Sequence, residues 1–302
     1  MDDVTQAFFE LKFENSFIRA RGDNFQAFFS SIMEKRYPGD FTRIRPWGAQ
    51  GDEKCDGHLR SKGLLFQCYA PDEMTAAKCI AKINDDFAGA VGHWEGHFST
   101  WVFVHNAKQG LGPKQTKRLL QLGKDHAPLV VTHWGYEEIR REAMQLPEVE
   151  LASLLGPAPS RREITNLGLD SLVPVLDHVA LMQPRPEPDL RPVPADKLEQ
   201  NRLSEHVATL LKAGMSREQL VRRYFKLKPQ LQDQIAEAFR LEYARLRATP
   251  VTPDAIFDAL HRFAIGHLLP SAARESAVLA VLAFFFSECD VFERPLPAGG
   301  VT

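Results

Sequence analysis

The sequence has little of what usually settles a protein's chemistry at a glance. It holds only four cysteines, Cys55, Cys68, Cys79 and Cys289, scattered and without a CxxC pair. That spacing excludes zinc ribbons and thioredoxin-like redox motifs, and suits reduced thiols filling small core positions. Long apolar runs are missing too: the longest, Ala277 to Phe286, is ten residues, half of the roughly 20 that a membrane span needs. It reads as a buried helix. The start, MDDVTQAFFELKF, carries two acids where a signal peptide needs basic residues, so a cytoplasmic protein away from the membrane is expected. There is no excess of one charge: 37 Lys and Arg stand against 39 Asp and Glu. Residues 1–183 hold 21 basic and 24 acidic side chains, and residues 184–302 hold 16 and 15. Neither half announces a nucleic-acid binder, so such a contact must come from a local patch or from a partner. Walker A, dinucleotide and Gly-x-Ser-x-Gly fingerprints are absent, as is a cysteine–histidine nucleophile pattern.

What is there is an ordinary globular composition over 302 residues, enough for two domains. Phe25, Phe28, Phe29 and Ile32 fall at helical spacing, which predicts a helix over 23–36, capped by Asp23 or Asn24 and stopped by Pro38-Gly39. Strands are expected in FTRIRPW (41–47), around HLR (58–60) and in LLFQCYA (64–70). A helix over 74–91 follows, with Ala77, Ile80, Ile83 and Phe87 as its inner face. Then come a strand at 99–106, a helix at 114–122, a strand at 128–134 and a helix at 135–144. Strands alternating with helices imply a mixed or parallel sheet with helices on its faces. Residues 184–196, PRPEPDLRPVPAD, hold five prolines and read as an extended spacer. Beyond it the pattern is helical, with PLPAGGVT (295–302) expected as a loose tail. Gly214 is expected to end one helix, Ser216-Arg217-Glu218-Gln219 to open another as a capping box, and 273–292 to be the central helix of a bundle. The expected organisation is thus an α/β domain over 1–183, a linker over 184–198 and an all-α domain over 199–302.

Chemistry concentrates between Trp47 and Tyr69. Asp52, Lys54 and Asp56 alternate, so an extended backbone would point all three to one side. Gln67 and Tyr69 bear the same relation on the next strand, and a hairpin would set Asp56 opposite Gln67. Two carboxylates and an amide oxygen are hard ligands suited to magnesium or manganese. A lysine beside them could position a water for attack on a phosphate. The spacing is equally that of a solvated acidic turn. Arg43 and Arg45 flank this region and could meet a phosphate backbone. His93-Trp94-Glu95-Gly96-His97 lacks the spacing of a zinc helix and reads as a loop; His105 and His133, at strand ends, read as hydrogen-bonded core histidines. Arg217, Arg222, Arg223, Lys226 and Lys228 surround Tyr224 and Phe225, a DNA-facing patch, a partner contact or a solvated face.

The order helix–strand–strand–strand–helix–strand resembles the core of the restriction-endonuclease-like, or PD-(D/E)xK, superfamily. Its Mrr-like branch has Gly-x-x-Phe-Glu opening a helix, a Gly-Asp-x-x-x-Asp-Gly loop, and a strand ending Gln-x-Lys. Matching them in this chain are Gly22-Asp23-Asn24-Phe25-Gln26, Gly51 to Gly57, and Gln67-Cys68-Tyr69. The resemblance implies Asp56 and Gln67 as magnesium ligands, with Asp52 assisting. It departs at Gln26, where the family has an acid, and at Tyr69, where it has the lysine. Catalysis would then need a displaced lysine: Lys54 first, then Lys78 or Lys82, with Lys78 also a candidate DNA contact. The segments GDEKCDG, FQCYAPDE, WVFVHN, DLRPVPADKLEQNRLS and LAFFFSECDVFERP are similar to proteins of ABC-three-component bacterial defence systems. That resemblance implies a nuclease effector arm acting on DNA and a helical C-terminal arm. This arm would join an ABC-type ATPase subunit and a small middle subunit, with self-association on activation left open. The alternative is a nuclease-like adaptor without activity that binds DNA or partners.

Overall fold

The computed structural model describes residues 1–45, 53–180, 197–269, 271–288 and 291–293, leaving aside the side chain of Glu199. The chain forms two compact units, residues 16–154 and residues 1–15 together with 155–302. The boundaries therefore differ from 183 and 198: residues 155–180 and the first fifteen belong with the helices. Most of the expected linker, 184–196, lies outside the described residues, and Lys197 and Leu198 already open a short helix.

The sheet unit follows the expected order closely. The end of α1 (Asp3–Arg19) leads to α2 (Gly22–Arg36), then β1 (Phe41–Arg43), β2 (Gly57–Leu59) and β3 (Leu64–Tyr69). α3 (Ala76–His93), β4 (Thr100–His105), α4 (Pro113–Asp125), β5 (Val130–Trp134), α5 (Tyr136–Met144) and α6 (Glu148–Leu155) complete it. The strands form one sheet in the order β1-β2-β3-β4-β5. The first three pair antiparallel and the last three parallel, so the sheet is mixed. Trp101 to Val104 are all fully buried, as expected of a parallel strand covered on both faces. On one face Leu65, Trp101 and Phe103 pack with Cys79, Ile83 and Phe87 of α3 and Leu119 of α4. On the other, Phe66 meets Phe29 of α2, Phe41 and Trp134.

Local details differ from the sequence expectation. α2 is capped at Arg21 without a side-chain bond, and neither Asp23 nor Asn24 is its N-cap. The buried face of α3 is Cys79, Ile83, Asp86, Phe87 and Ala90, with Ala77 exposed and Ile80 only partly buried. The cap of that helix is Thr75, whose hydroxyl accepts from the Lys78 amide.

The helical unit begins at the N-terminus. Val4, Ala7, Phe8, Phe9, Leu11 and Phe13 of α1 are buried; with apolar residues on nearly every side, this helix shows no amphipathic period in the sequence. Lys12 Nζ lies 3.2 Å from Asp258, Asp3 pairs with Arg161, and the Thr5 hydroxyl donates to the Pro159 carbonyl at 3.0 Å. The remaining helices are α7 (Arg161–Thr165), α8 (Leu169–Ala180), α9 (Lys197–Gln200), α10 (Glu205–Met215), α11 (Glu218–Leu227), α12 (Pro229–Arg247), α13 (Pro253–Ile265) and α14 (Ala272–Ser287). α14 is central, as expected: Glu275 to Phe286 are all buried, and α7, α8, α10, α11 and α13 pack on it.

Gly214 does not end α10 but lies within it, where α10 passes close against α14. A Cβ added there would sit 2.3 Å from the Leu279 carbonyl oxygen and 2.8 Å from Ala283 Cβ. Gly214→Ala is therefore expected to destabilise the unit by about 1–3 kcal/mol, where an ordinary helical site would gain from alanine. Denaturant melts of the two chains decide the sign. Ser216 is the C-cap of α10, its hydroxyl donating to the Ala213 carbonyl. The N-cap of α11 is Arg217 with no side-chain cap, so the expected capping box does not form.

Candidate functional site

The site is built where β2 and β3 pair. Gly57 is registered with Phe66, which carries Asp56 level with Gln67, the expected hairpin relation. The Asp56 amide donates to the Phe66 carbonyl at 2.8 Å. Its carboxylate then turns back onto the strand: Oδ2 accepts from the Cys68 amide at 2.6 Å. Oδ1 accepts from Gln26 Nε2 of α2, also at 2.6 Å. Burial, together with the Asp56 charge, pushes the Cys68 thiol well up, keeping it protonated.

Asp56, Gln67, Gln26, Tyr69 and Asp23 line an open cavity of about 290 Å³, together with Gly22, Cys68, Ala70 and Pro71. Gln67 is only 4% exposed, and its Oε1 has no hydrogen-bond partner among the described residues. A buried carbonyl oxygen left unpaired costs about 1–3 kcal/mol, so it asks for a donor or a cation. The oxygens of Asp56 and Gln67 are hard donors suited to magnesium or manganese, and the pair fits such an ion. Among the described residues no three His, Cys, Asp or Glu side chains are grouped to hold a metal; Gln67 and water would have to complete the shell. Asp52, the third expected ligand, lies outside the described residues.

Lys54 is not brought to this cavity. Glu53 and Lys54 both have left-handed backbones, φ 49° and 61°, so the chain turns there and the extended alternation with Asp56 does not hold. Lys54 Nζ is 2.6 Å from Asp85 and 3.5 Å from Asp86 on α3. The hydrogen bond to Asp85 raises its pKa. Lys82 holds the same fully buried Asp86 at 2.7 Å. Burial raises the Asp86 carboxyl, and the two lysines only partly offset this. Lys78 is exposed on the first turn of α3. No lysine is among the cavity's lining residues; the position expected for it is Tyr69, whose hydroxyl burial keeps protonated.

Of the two candidate DNA contacts on β1 and beyond it, Arg43 is held by Glu34 at 3.0 Å and by the Ser31 hydroxyl at 3.1 Å, while Arg45 is exposed. The cavity residue missed by the sequence reading is Asp23. It sits one turn before Gln26, an i, i+3 spacing that puts both on one helix face, and it supplies an acid where Gln26 does not. The basic cluster of α11 is not an aromatic stacking patch: Tyr224 and Phe225 are buried, and Arg222 pairs with Glu218 and Glu288.

His105 is a buried core histidine and faces the only partly buried His133, Nε2 to Nδ1, at 3.2 Å. Burial first, and the charge on His133 second, lower His105 from 6.5 to about 3. The folded chain therefore keeps His105 neutral where the unfolded chain protonates it. Since the folded value is the lower one, stability is lost as pH falls below 6.5 toward 3, at up to about 1.4 kcal/mol per pH unit. Thermal melts between pH 7 and pH 4 should show a shallower acid slope for His105→Phe than for the native chain. Equal slopes would remove His105 as the cause.

Among the described residues no helix is long and apolar enough to cross a membrane. Comparison with known proteins finds a match over residues 170–293, to the family model of C-terminal domain 10 of the ABC-three component systems. The matched residues fall within the helical unit, from α8 to just past α14. No curated protein and no solved structure matches the chain. Residues 170–293 are thus similar to the C-terminal domain of ABC-three-component systems.

Proposed function

We propose that the sheet unit is a metal-dependent DNA nuclease module, and that the helical unit tethers it to the other subunits of the system. The observation that carries this reading is the convergence of Asp56, Gln67 and Asp23 on one cavity, with the buried Gln67 carbonyl oxygen unpartnered among the described residues. Magnesium or manganese held there would neutralise phosphate charge and acidify a water. Asp56 and Gln67 would hold the ion, and Gln26 keeps the Asp56 carboxylate aimed by donating to it. Asp23 is placed to accept a proton from water or to bind the ion through water. Tyr69 offers a neutral hydroxyl, a hydrogen-bond donor to a phosphate oxygen in place of a lysine's charge. The ABC-type ATPase subunit and the small middle subunit are the partners proposed for the helical unit, with Lys78 and Arg45 as exposed contacts for the DNA backbone.

A second reading, a silent adaptor that binds DNA or partner subunits without cutting, is favoured by one observation. The lysine position is Tyr69, and Lys54 is committed to Asp85 and Asp86. Plasmid DNA incubated with the full chain and magnesium or manganese, with and without the system's ATPase subunit, separates the two. Cutting that survives Lys54→Ala supports a nuclease in which Tyr69 stands in for the lysine. DNA retained but uncut under every condition supports the adaptor.

A further inference from the structure

A second cavity, of about 240 Å³, lies wholly within the helical unit. Its walls come from the end of α9, the end of α12, the start of α13 and the segment after α14. Arg202, Arg247 and Tyr243 supply polar groups; Val251, Ile256 and Phe292 supply apolar ones. We infer that this cavity is a docking site for a carboxylate-bearing peptide segment of a partner subunit. The inference rests on the tethering role proposed above for this unit and gives it a location.

Three observations carry it. First, the cavity is assembled by dedicated bonds rather than left over between helices. Asn201 Nδ2 donates to the Glu293 carbonyl at 2.9 Å, and the Glu293 amide donates to Asn201 Oδ1 at 2.7 Å. The buried Lys197 amine donates to the Phe286 and Val291 carbonyls, 2.7 Å each, fixing the turn after α14. Second, two non-glycine residues of the lining, Arg202 and Phe292, have left-handed backbones, φ 51° and 63°. Such strain persists where the surroundings enforce it and gathers at ligand sites. Third, the charges are unevenly matched. Arg247 and the Tyr243 hydroxyl both engage Glu293, whereas the exposed Arg202 makes no ion pair among the described residues. Arg247 is thus already matched by the cavity's own carboxylate, and Arg202 is the cation left for another one.

The chemistry selects the occupant. A guanidinium fork matches a carboxylate in a two-point bond, and the apolar walls suit side chains flanking an acidic residue. The cavity's own Glu293 opposes a polyphosphate backbone, so an acidic peptide fits better than a nucleic acid. Arginine within a partly enclosed pocket is also where interface energy concentrates.

The test uses the full chain and the co-expressed ATPase and middle subunits of its system, with affinity read by titration of the purified components. Arg202→Glu is expected to weaken binding by about tenfold or more. Arg202→Asn, which suits the left-handed backbone, should weaken it less and leave the melting temperature unchanged. Lys212→Glu makes the same charge change at an exposed site of α10 and should bind as the native chain does. Native affinity in Arg202→Glu and Arg202→Asn would overturn the docking site while leaving the tethering role standing. A native chain that binds neither subunit would overturn both.

Discussion

In plasmid-cleavage assays, Asp56→Ala is expected to lower the magnesium-dependent rate by on the order of 1000-fold, about 4 kcal/mol of transition-state stabilisation. Two separate losses contribute, and they can be told apart. Removing the carboxylate would remove the charged ligand proposed for the metal, which the neutral Gln67 cannot replace. It also strips the acceptor from Gln26 Nε2 and from the Cys68 amide, each 2.6 Å away. Two partly buried donors left unpaired cost about 1–3 kcal/mol each, so the variant should also melt earlier. Asp56→Asn separates the effects, because its amide oxygen can still accept one of these bonds while the charge is gone. A rate as low as that of Asp56→Ala, with most of the melting temperature recovered, would assign the loss to the site. Unchanged cutting in both variants would sink the nuclease assignment of Asp56.

The second large effect concerns the first fifteen residues. They belong with residues 155–302, and the match to the C-terminal domain model starts only at residue 170. A fragment cut to residues 155–302 is expected to lose cooperative unfolding, whereas one carrying residues 1–15 through a flexible linker should regain it. The magnitude follows from what the helix buries. Phe8, Phe9 and Phe13 are at most 1% exposed, and deleting a buried phenylalanine side chain costs about 3–5 kcal/mol. A domain's whole stability is about 5–15 kcal/mol. Phe8 meets His261 edge-on at 6.0 Å between ring centres. Lys12 faces buried Asp258, and His261 Nε2 lies 2.6 Å from buried Glu275. Removing Lys12 takes one cation from Asp258, which still has Arg262 beside it. Calorimetry on the two fragments is the check, and equal melting temperatures would show the N-terminal helix to be dispensable.

The sequence by itself determined the elements and their order in the sheet unit. The strands other than the short β2 carry aromatic or β-branched residues between turn formers, and α3 to α5 carry helical spacing; such signals act over a few residues. It also marked Asp56 and Gln67, because pairing across a short hairpin is a local matter. α1 escaped notice since a helix buried on nearly all sides has no period to read, and its partners lie some 150 residues or more along the chain. Only the tertiary structure decided which charges meet. Two consecutive left-handed residues swing Lys54 away from Asp56 and onto Asp85 and Asp86. The packing of α2 against the sheet brings Asp23 and Gln26 to a cavity whose other wall lies some 30 to 45 residues further on. Those meetings depend on how whole helices lie on the sheet, a long-range outcome of core packing that no window of the sequence contains.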